Sequence, residues 1–326
     1  MELTKQTSER HIPVLLDECM DMMAPALTDD GAVLVDCTLG MGGHSEAALK
    51  RFPNIHLIGI DRDPQAISLA SERLAPFADR FTAVHTTYDH VDEVVATYAP
   101  AGKADAILMD LGVSSLQLDE AERGFSYSAD APLDMRMDPT TGQSAAELLV
   151  SATAQEITHI LRVYGEERFA SRIARRIVET RETQPLIRTG QLADIVRASI
   201  PAAARRTGGN PSKRTFQALR IAVNDELNIL ERALPACFAS LRIGGRLVVE
   251  SYQSLEDRIV KDLFRRASTV DVPQGLPVIP DSMAPSVEPL TRKVRQADEA
   301  ERAHNPRSAS VRLRGAQLVR EWKELS

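Results

Sequence analysis

The stretch that decides the fold is Asp36-Cys37-Thr38-Leu39-Gly40-Met41-Gly42-Gly43-His44-Ser45. It follows the apolar run Ala32-Val33-Leu34-Val35 and leads into the amphipathic segment HSEAALKRF, residues 44–52. An apolar run that ends in an acid, crosses three glycines and enters a helical pattern reads as strand, turn, helix. Glycine allows the tight turn and lets backbone N–H groups approach a ligand with no side chain between. A bare Gly-x-Gly-Gly is also an ordinary tight turn, so the flanking sequence has to decide.

Working outward, HLIGIDRD (56–63) reads as a second strand and PQAISLASERL as a second helix, with Pro64 near its start. RFTAVHTTY (80–88) is a third strand. ADAILMDLG (104–112) is a fourth, apolar at consecutive positions as in a strand buried on both faces. Short strands alternating with helices predict an α/β fold with a parallel sheet, helices on both faces and right-handed crossovers.

In an open parallel sheet the ligand lies beyond the carboxyl ends of the strands. Asp36, Gly40, Asp61, Tyr88 and Asp110 all fall at such ends. An acid ending the second strand can accept both hydroxyls of a ribose, an arrangement shared by NAD enzymes and S-adenosylmethionine (AdoMet) enzymes. The NAD fingerprint would read GxGxxG; Gly40-x-Gly42-Gly43 followed by His44 favours AdoMet. Tyr88 can stack on an adenine or simply belong to the core.

After Gly112 the pattern changes. Residues 113–142 are irregular, and from about Ser144 to Ile200 the period is helical. In GEERFASRIARRIVETR, Phe169, Ile173 and Ile177 share one face while Arg168, Arg172, Arg175 and Arg176 take others. TFQALRIAVNDELNIL reads as another helix, with Phe216, Leu219, Val223, Leu227 and Leu230 on one stripe, and GGRLVVESYQS (244–254) returns to strand. The expected organisation is therefore an α/β domain of residues 1–112 and 215–326, interrupted by a mostly helical insert over 113–214. Five prolines between 271 and 289 predict an extended connector before a basic C-terminal tail.

The 326 residues carry a net charge of −7. On its face that argues against a polyanionic partner. The average hides a division: Arg162–Arg220 has 13 basic against 5 acidic residues, and Thr291–Arg320 has 8 against 3, leaving −20 on the rest. At 43% hydrophobic residues the chain can form a sizeable core, and with only 4% aromatics an aromatic binding surface is not expected. The polar start MELTKQTSER and the lack of any 18-residue apolar run predict neither a signal peptide nor a membrane span, hence a cytoplasmic protein. Cys19, Cys37 and Cys237 have no CxxC spacing, and the seven histidines no HxxxH spacing, so neither a disulfide framework nor a metal site is expected.

Three further stretches carry chemistry. Arg123–Asp138, RGFSYSADAPLDMRMD, alternates acids with arginines in a long loop, including Asp134 and Arg136. NPSKRTFQALR (210–220) places Lys213 and Arg214 at a helix start after two glycines, as a phosphate clamp or a solvated helix entry. ESYQSLEDR (250–258) closes the strand after Gly244-Gly245, so Gln253 and Ser254 either reach the same cleft or form a plain strand-to-helix turn.

Taken together these stretches resemble the MraW/RsmH family of bacterial methyltransferases. The resemblance runs from HIPVLLDE (11–18) through DCTLGMGGHS, GIDRDPQAI, DLGVSSLQLDEAERGFSYSADAPLDMRMD, YGEERFASRIARRIV, RTFQALRIAVNDEL and SYQSLEDRIVK to NPRSASVRLR. It implies a Rossmann-like AdoMet-dependent methyltransferase domain with an inserted helical domain. The implied reaction is methylation of N4 of a cytidine in 16S ribosomal RNA of the small subunit, with no metal and no membrane; monomer and homodimer both stay open. By matching motif, Gly42, Gly43, His44, Asp61, Tyr88, Asp110 and Gln117 would hold the cofactor. Asp134, Arg136, Arg214, Gln253 and Ser254 are the substrate-contact candidates. Tyr88 stands where the family usually has Phe, and Asn210 and Gln253 where it usually has His, so a histidine base at those positions is not expected. Asp110, or a backbone carbonyl just after it, is the candidate acceptor for the reacting amine. A nucleotide-dependent oxidoreductase and a non-catalytic RNA-binding or assembly factor on the same fold are the competing readings.

Overall fold

The computed structural model describes residues 13–205, 210–269 and 284–323. In chain order, α1 (Leu16–Met23) leads to β1 (Val33–Asp36), α2 (Gly43–Arg51), β2 (His56–Asp61), α3 (Pro64–Arg73), β3 (Phe81–His85), α4 (Val91–Tyr98) and β4 (Ala104–Asp110). The helices α5 (Ser115–Asp119), α6 (Ala145–Ser151), α7 (Ala154–Val163), α8 (Ala170–Arg181), α9 (Thr189–Ser199), α10 (Ala202–Arg205) and α11 (Lys213–Asn224) follow. The chain ends with α12 (Glu226–Ser240), β5 (Leu241–Ser251), α13 (Ser254–Ser268), β6 (Val287–Pro289), α14 (Glu299–His304) and β7 (Arg312–Leu318).

Two compact units result. The first runs to Gly112 and resumes at Asn228; the second is Val113–Leu227. In the first unit the strands form a single sheet of order β3-β2-β1-β4-β5-β7-β6. β1 to β5 are parallel to their neighbours, while β7 runs antiparallel to both β5 and β6. Side chains alternate across each strand. Val35, Ile58, Ile60, Ile107, Met109 and Val249 pack on one face under Val95, Leu234 and Phe264 of α4, α12 and α13. Leu34, Leu57, Leu108 and Val248 pack on the other under Met20, Leu49 and Ala70 of α1, α2 and α3. Both faces being covered explains why the strands read as continuous apolar runs, and the result is a Rossmann-like α/β fold.

The second unit has its own core, built on Leu149, Ile157, Leu161, Ile173, Ile177, Leu192, Val196, Phe216 and Leu219. Capping boxes start several of its helices, among them Ser114 with Gln117 on α5, Ser144 with Glu147 on α6, and Thr153 with Glu156 on α7.

Several elements differ from the sequence reading. The units divide at Leu227, not at 214, because α11 uses Phe216 and Leu219 in the core of the second unit. The stretch 215–230 is two helices, not one. Asp225 takes a left-handed conformation with φ 52° and ends α11. The neighbouring Asn224 donates to the Met135 carbonyl at 2.7 Å and accepts from the Met137 N–H at 2.8 Å. Much of the basic tail is not a tail: Arg312–Leu318 is a strand inside the sheet, between β5 and β6. Its Arg314 is held by Asp257 at 2.7 Å. Within the expected proline-rich connector, Val287–Pro289 pairs with β7; residues 270–283 lie outside the described residues. The three cysteines are free and buried. Among the described residues no helix is long and apolar enough to cross a membrane.

Candidate active site

The carboxyl ends of β1, β2, β4 and β5 assemble the site, all within the first unit. The loop after β1 is fixed by the acid that opens it. Asp36 is buried, accepting from the Ser45 hydroxyl at 2.7 Å and the Thr38 N–H at 3.1 Å, so it ties the strand end to the first turn of α2. Burial raises its pKa, and those two donors together with the nearby His44 oppose the rise. Gly42 caps α2 with φ 76°, in the left-handed region where a side chain is strained. Gly43 is required by a close approach: a Cβ there would lie 2.8 Å from Cγ of Pro13. The glycine pair therefore seats the loop closely against Leu74 and Pro13.

Asp61 ends β2 and turns back to the same loop. It accepts from the Gly40 N–H at 2.8 Å and from the Asp63 N–H at 2.9 Å, one on each oxygen. Each oxygen retains a lone pair, the geometry needed to receive a diol. Burial pushes its pKa up to about 6, against the pull of those two backbone donors. Tyr88 lies beyond β3, in a single 3-10 turn, half-buried against the apolar face that includes Val91.

At the centre, β4 and β5 place Asp110 and Glu250 side by side in register. The Asp110 N–H donates to the Thr38 hydroxyl at 2.6 Å, fixing the strand end to the glycine loop. Its Oδ1 is buried and has no hydrogen-bond partner among the described residues. Its Oδ2 faces Nδ1 of His44 at 3.8 Å, and the Tyr252 hydroxyl lies against the same carboxyl. His44 is buried in the first turn of α2, with Nε2 3.2 Å from the Val14 carbonyl and 3.5 Å from Glu250 Oε2. Burial raises the Asp110 pKa, opposed by His44 and Tyr252.

Glu250 is fully buried, and neither carboxyl oxygen has a hydrogen-bond partner among the described residues. Burial first, and Asp110 second, hold its pKa well above the usual carboxylate range. Glu250, Cys19 and His44 present ligand atoms within 4.8 Å of one another, a donor set that a borderline metal such as zinc can use. Burial also pushes the Cys19 thiol up.

The remaining predicted site residues are placed differently. Gln253 caps α13, donating from its amide to Glu256 at 2.9 Å, while its Oε1 is buried without a partner; Ser254 is exposed at the first position of that helix. Gln117, Asp134, Arg136 and Arg214 belong to the second unit. There Gln117 is buried and closes a capping box with Ser114. Arg136 grips Asp134 through two bonds of 2.9 and 2.7 Å, so this pair is occupied in shaping its own loop. Arg214 is exposed and donates to the Glu166 carbonyl at 3.2 Å.

Sequence reasoning passed over Cys19, Tyr252 and Thr38, and noted Glu250 only as part of a motif. Glu250 did carry a signal: it is an acid placed directly after the apolar run Leu247-Val248-Val249. Cys19 and Tyr252 carried none, since nothing local shows that α1 and β5 converge on one carboxylate.

Comparison with known proteins adds the following. The model of the MraW methylase family matches residues 8–319. A protein of Beutenbergia cavernae named "Ribosomal RNA small subunit methyltransferase H" is 58% identical over 315 residues, spanning 97% of this chain and 94% of its own. A namesake from Streptomyces avermitilis is 54% identical over 318 residues, spanning 98% of this chain and all of its own. Among solved structures, an rRNA methylase from Streptococcus thermophilus aligns over 95% of this chain and 99% of its own, at 12% identity and a TM-score of 0.43.

Proposed function

The chain belongs to the MraW methylase family, and on that premise we propose that it is an AdoMet-dependent methyltransferase acting on N4 of a cytidine in 16S ribosomal RNA of the small subunit. The observation that carries the reading is the pair of acids at the ends of β2 and β4, the two strands that flank β1. Asp61 has lone pairs free for a ribose diol, and Asp110 keeps a buried oxygen without a partner beside the glycine loop. An orphaned buried carboxyl oxygen is costly in a folded protein unless a ligand satisfies it. Gly42, Gly43, His44 and Tyr88 surround these two acids in the proposed cofactor site, with Gln117 assigned to it by motif alone. An RNA substrate makes the cytoplasm its place of work.

The reaction asks for a bond between the exocyclic nitrogen and carbon, loss of the carbon–sulfur bond, and departure of one proton from nitrogen. When bound, AdoMet supplies an activated methyl group with a neutral thioether leaving group. The protein has to orient the amine and remove its proton. The cytosine amine is a poor nucleophile because its lone pair is delocalised into the ring. Asp110 Oδ1, accepting one N–H, localises that lone pair as the nitrogen attacks and then takes the proton. A raised pKa makes Asp110 a better base than an ordinary carboxylate. His44, whose Nδ1 faces the other oxygen, favours the charged carboxylate. Alignment of amine, methyl and sulfur contributes the rest. The target base must leave any stack to reach such a site, so loop or single-stranded RNA is the expected substrate.

The test is transfer of labelled methyl groups from AdoMet to small ribosomal subunits that lack the modification, followed by digestion to nucleosides. Label in N4-methylcytidine supports the reading. No label, with the same protein binding the subunits, leaves a non-catalytic assembly factor and sinks the enzyme assignment.

A further inference from the structure

Beyond the cofactor site, the second unit carries a basic groove of about 580 Å³ between α7 and α8, which pack against each other. Gln155, Thr158, His159 and Arg162 recur along one face of α7 at helical spacing, and Ser171 and Arg175 stand one turn apart on α8. Every one of these side chains can donate a hydrogen bond and none is a carboxylate. Arg162 is tethered across the groove to the Ser171 hydroxyl at 2.8 Å, which fixes its guanidinium and leaves its other N–H groups available. Arg175 and His159 are exposed and have no ion pair or hydrogen bond among the described residues.

The acids nearby do not neutralise the groove. Glu156 is committed to the N-cap of α7, accepting from Thr153 N–H at 2.7 Å, and Glu167 accepts from Phe169 N–H at 2.8 Å. Glu179, one turn beyond Arg175, makes no ion pair with it. Two arginines held in one concavity without counter-charges repel one another, and an anion relieves that repulsion. Arg176, of the same α8 cluster, is instead spent on the Ala198 carbonyl at 2.5 Å.

We propose that this groove, between α7 and α8, binds the phosphodiester backbone of the RNA substrate through Arg162 and Arg175, with Ser171, Thr158 and His159 as supporting donors. This rests on the methyltransferase reading above and names where that substrate is held. The groove is lined by no Phe, Tyr or Trp, which favours contacts to the backbone over stacking of bases. It therefore grips backbone and contributes affinity without sequence choice. Two guanidinium groups lining one groove, one of them tethered, suit two successive phosphates.

The test uses the full-length protein and small subunits lacking the modification, with binding followed from 50 to 200 mM KCl. Each phosphate contact contributes roughly 0.7 to 0.9 to the slope of log affinity against log salt. The double variant Arg162→Gln/Arg175→Gln should therefore lose about 1.4 to 1.8 from that slope, and at 0.1 M salt bind about 25- to 60-fold more weakly. Its thermal shift with AdoMet should equal that of the wild type. The control Arg197→Gln/Lys261→Gln removes two exposed charges elsewhere and should lose much less. An unchanged slope in the Arg162/Arg175 variant overturns the proposal, and so does an equal loss in the control. Displacement by poly-glutamate as effective as by an RNA of equal charge would also overturn it, in favour of a general anion surface. If the wild type neither binds nor methylates the subunits, the functional reading itself fails. If it does both and the double variant does too, only the groove fails.

Discussion

Replacing Asp61 by asparagine should make the protein more stable at neutral pH while removing its grip on the cofactor. Burial moves the Asp61 pKa from 3.8 to about 6, although two backbone N–H groups bind the charged form. About two units correspond to roughly 3 kcal/mol of preference for the neutral carboxyl in the folded state. The unfolded chain ionises near 3.8, so between that value and about 6 the folded protein holds the extra proton. Stability is therefore highest below this window, falls as pH rises through it, and levels off above it. The Asp61→Asn side chain carries no charge at any pH and escapes that loss. Two terms reduce the gain. Asp61 is partly exposed, so solvent screens the penalty. An amide also offers only one acceptor oxygen for the N–H groups of Gly40 and Asp63, which costs about 1 kcal/mol or more. A net gain of about 1–2 kcal/mol at pH 7.5 remains, shrinking toward zero or below at pH 4. Denaturant titrations of both proteins at the two pH values read this directly. Calorimetry should show AdoMet affinity lower by about two orders of magnitude, since two charge-assisted hydrogen bonds are lost. Wild-type affinity itself should fall as pH drops below about 6. A variant less stable than the wild type at pH 7.5, or one whose advantage is the same at pH 4, would refute the burial argument; unchanged AdoMet binding would refute the diol role.

Three other expectations use the same reasoning. Asp110→Asn should keep AdoMet affinity within about tenfold while turnover drops on the order of a hundredfold, as for loss of a positioned base; methylation at the wild-type rate would end that assignment. Glu250→Gln should lie within about 1 kcal/mol of the wild type at pH 7, because burial and the neighbouring Asp110 both favour the neutral carboxyl, which Gln resembles. A stability change well above about 2 kcal/mol by denaturant midpoint would show that Glu250 is ionised. Arg80→Met should destabilise by about 2–3 kcal/mol, since Arg80 donates to the carbonyls of Leu49, Phe52 and Ile55 around the end of α2; a midpoint shift worth under about 0.5 kcal/mol would show water replacing it.

Much of the first unit was legible because its signals are local. Val33–Asp36 and Ala104–Asp110 are apolar on consecutive positions, as strands covered on both faces must be, and the glycine turn follows the first of them. Asp61 and Asp110 could be named because a strand end is visible in the pattern and a parallel sheet gathers such ends. What failed depends on distant partners. Residues 291–320 look like a solvated basic tail until β5 supplies the neighbour that turns Arg312–Leu318 into an interior strand, and Asp257 supplies the acid that holds Arg314. The helix over 215–230 looks continuous because Asp225 is a weak local breaker; Asn224, bound to Met135 and Met137 far back in the chain, fixes the break. Asp134 and Arg136 look like ligands for the opposite reason. They satisfy each other two residues apart, a pairing that residue types alone do not distinguish from an open site.

The net charge of −7 takes its meaning from where the charges sit. In the first unit four acids, Asp36, Asp61, Asp110 and Glu250, are drawn out of water at strand ends, and burial raises the pKa of each. Hydrophobic residues of similar volume would fold there at lower cost. Under the proposed function, Asp36, Asp61 and Asp110 would instead be preorganised acceptors around a cofactor that carries positive charge, and attraction between opposite charges is strongest where water is excluded. In the second unit Arg162 and Arg175, with no acid paired to either among the described residues, stand in the opposite condition, exposed and in need of anions. Each set is destabilising alone and is relieved by a ligand of opposite sign. If that is why they persist, AdoMet should protect the first unit from denaturation with little effect on the second. Hydrogen exchange of α2 against α7 and α8 would register this, and equal protection of both helix sets by AdoMet alone would contradict it.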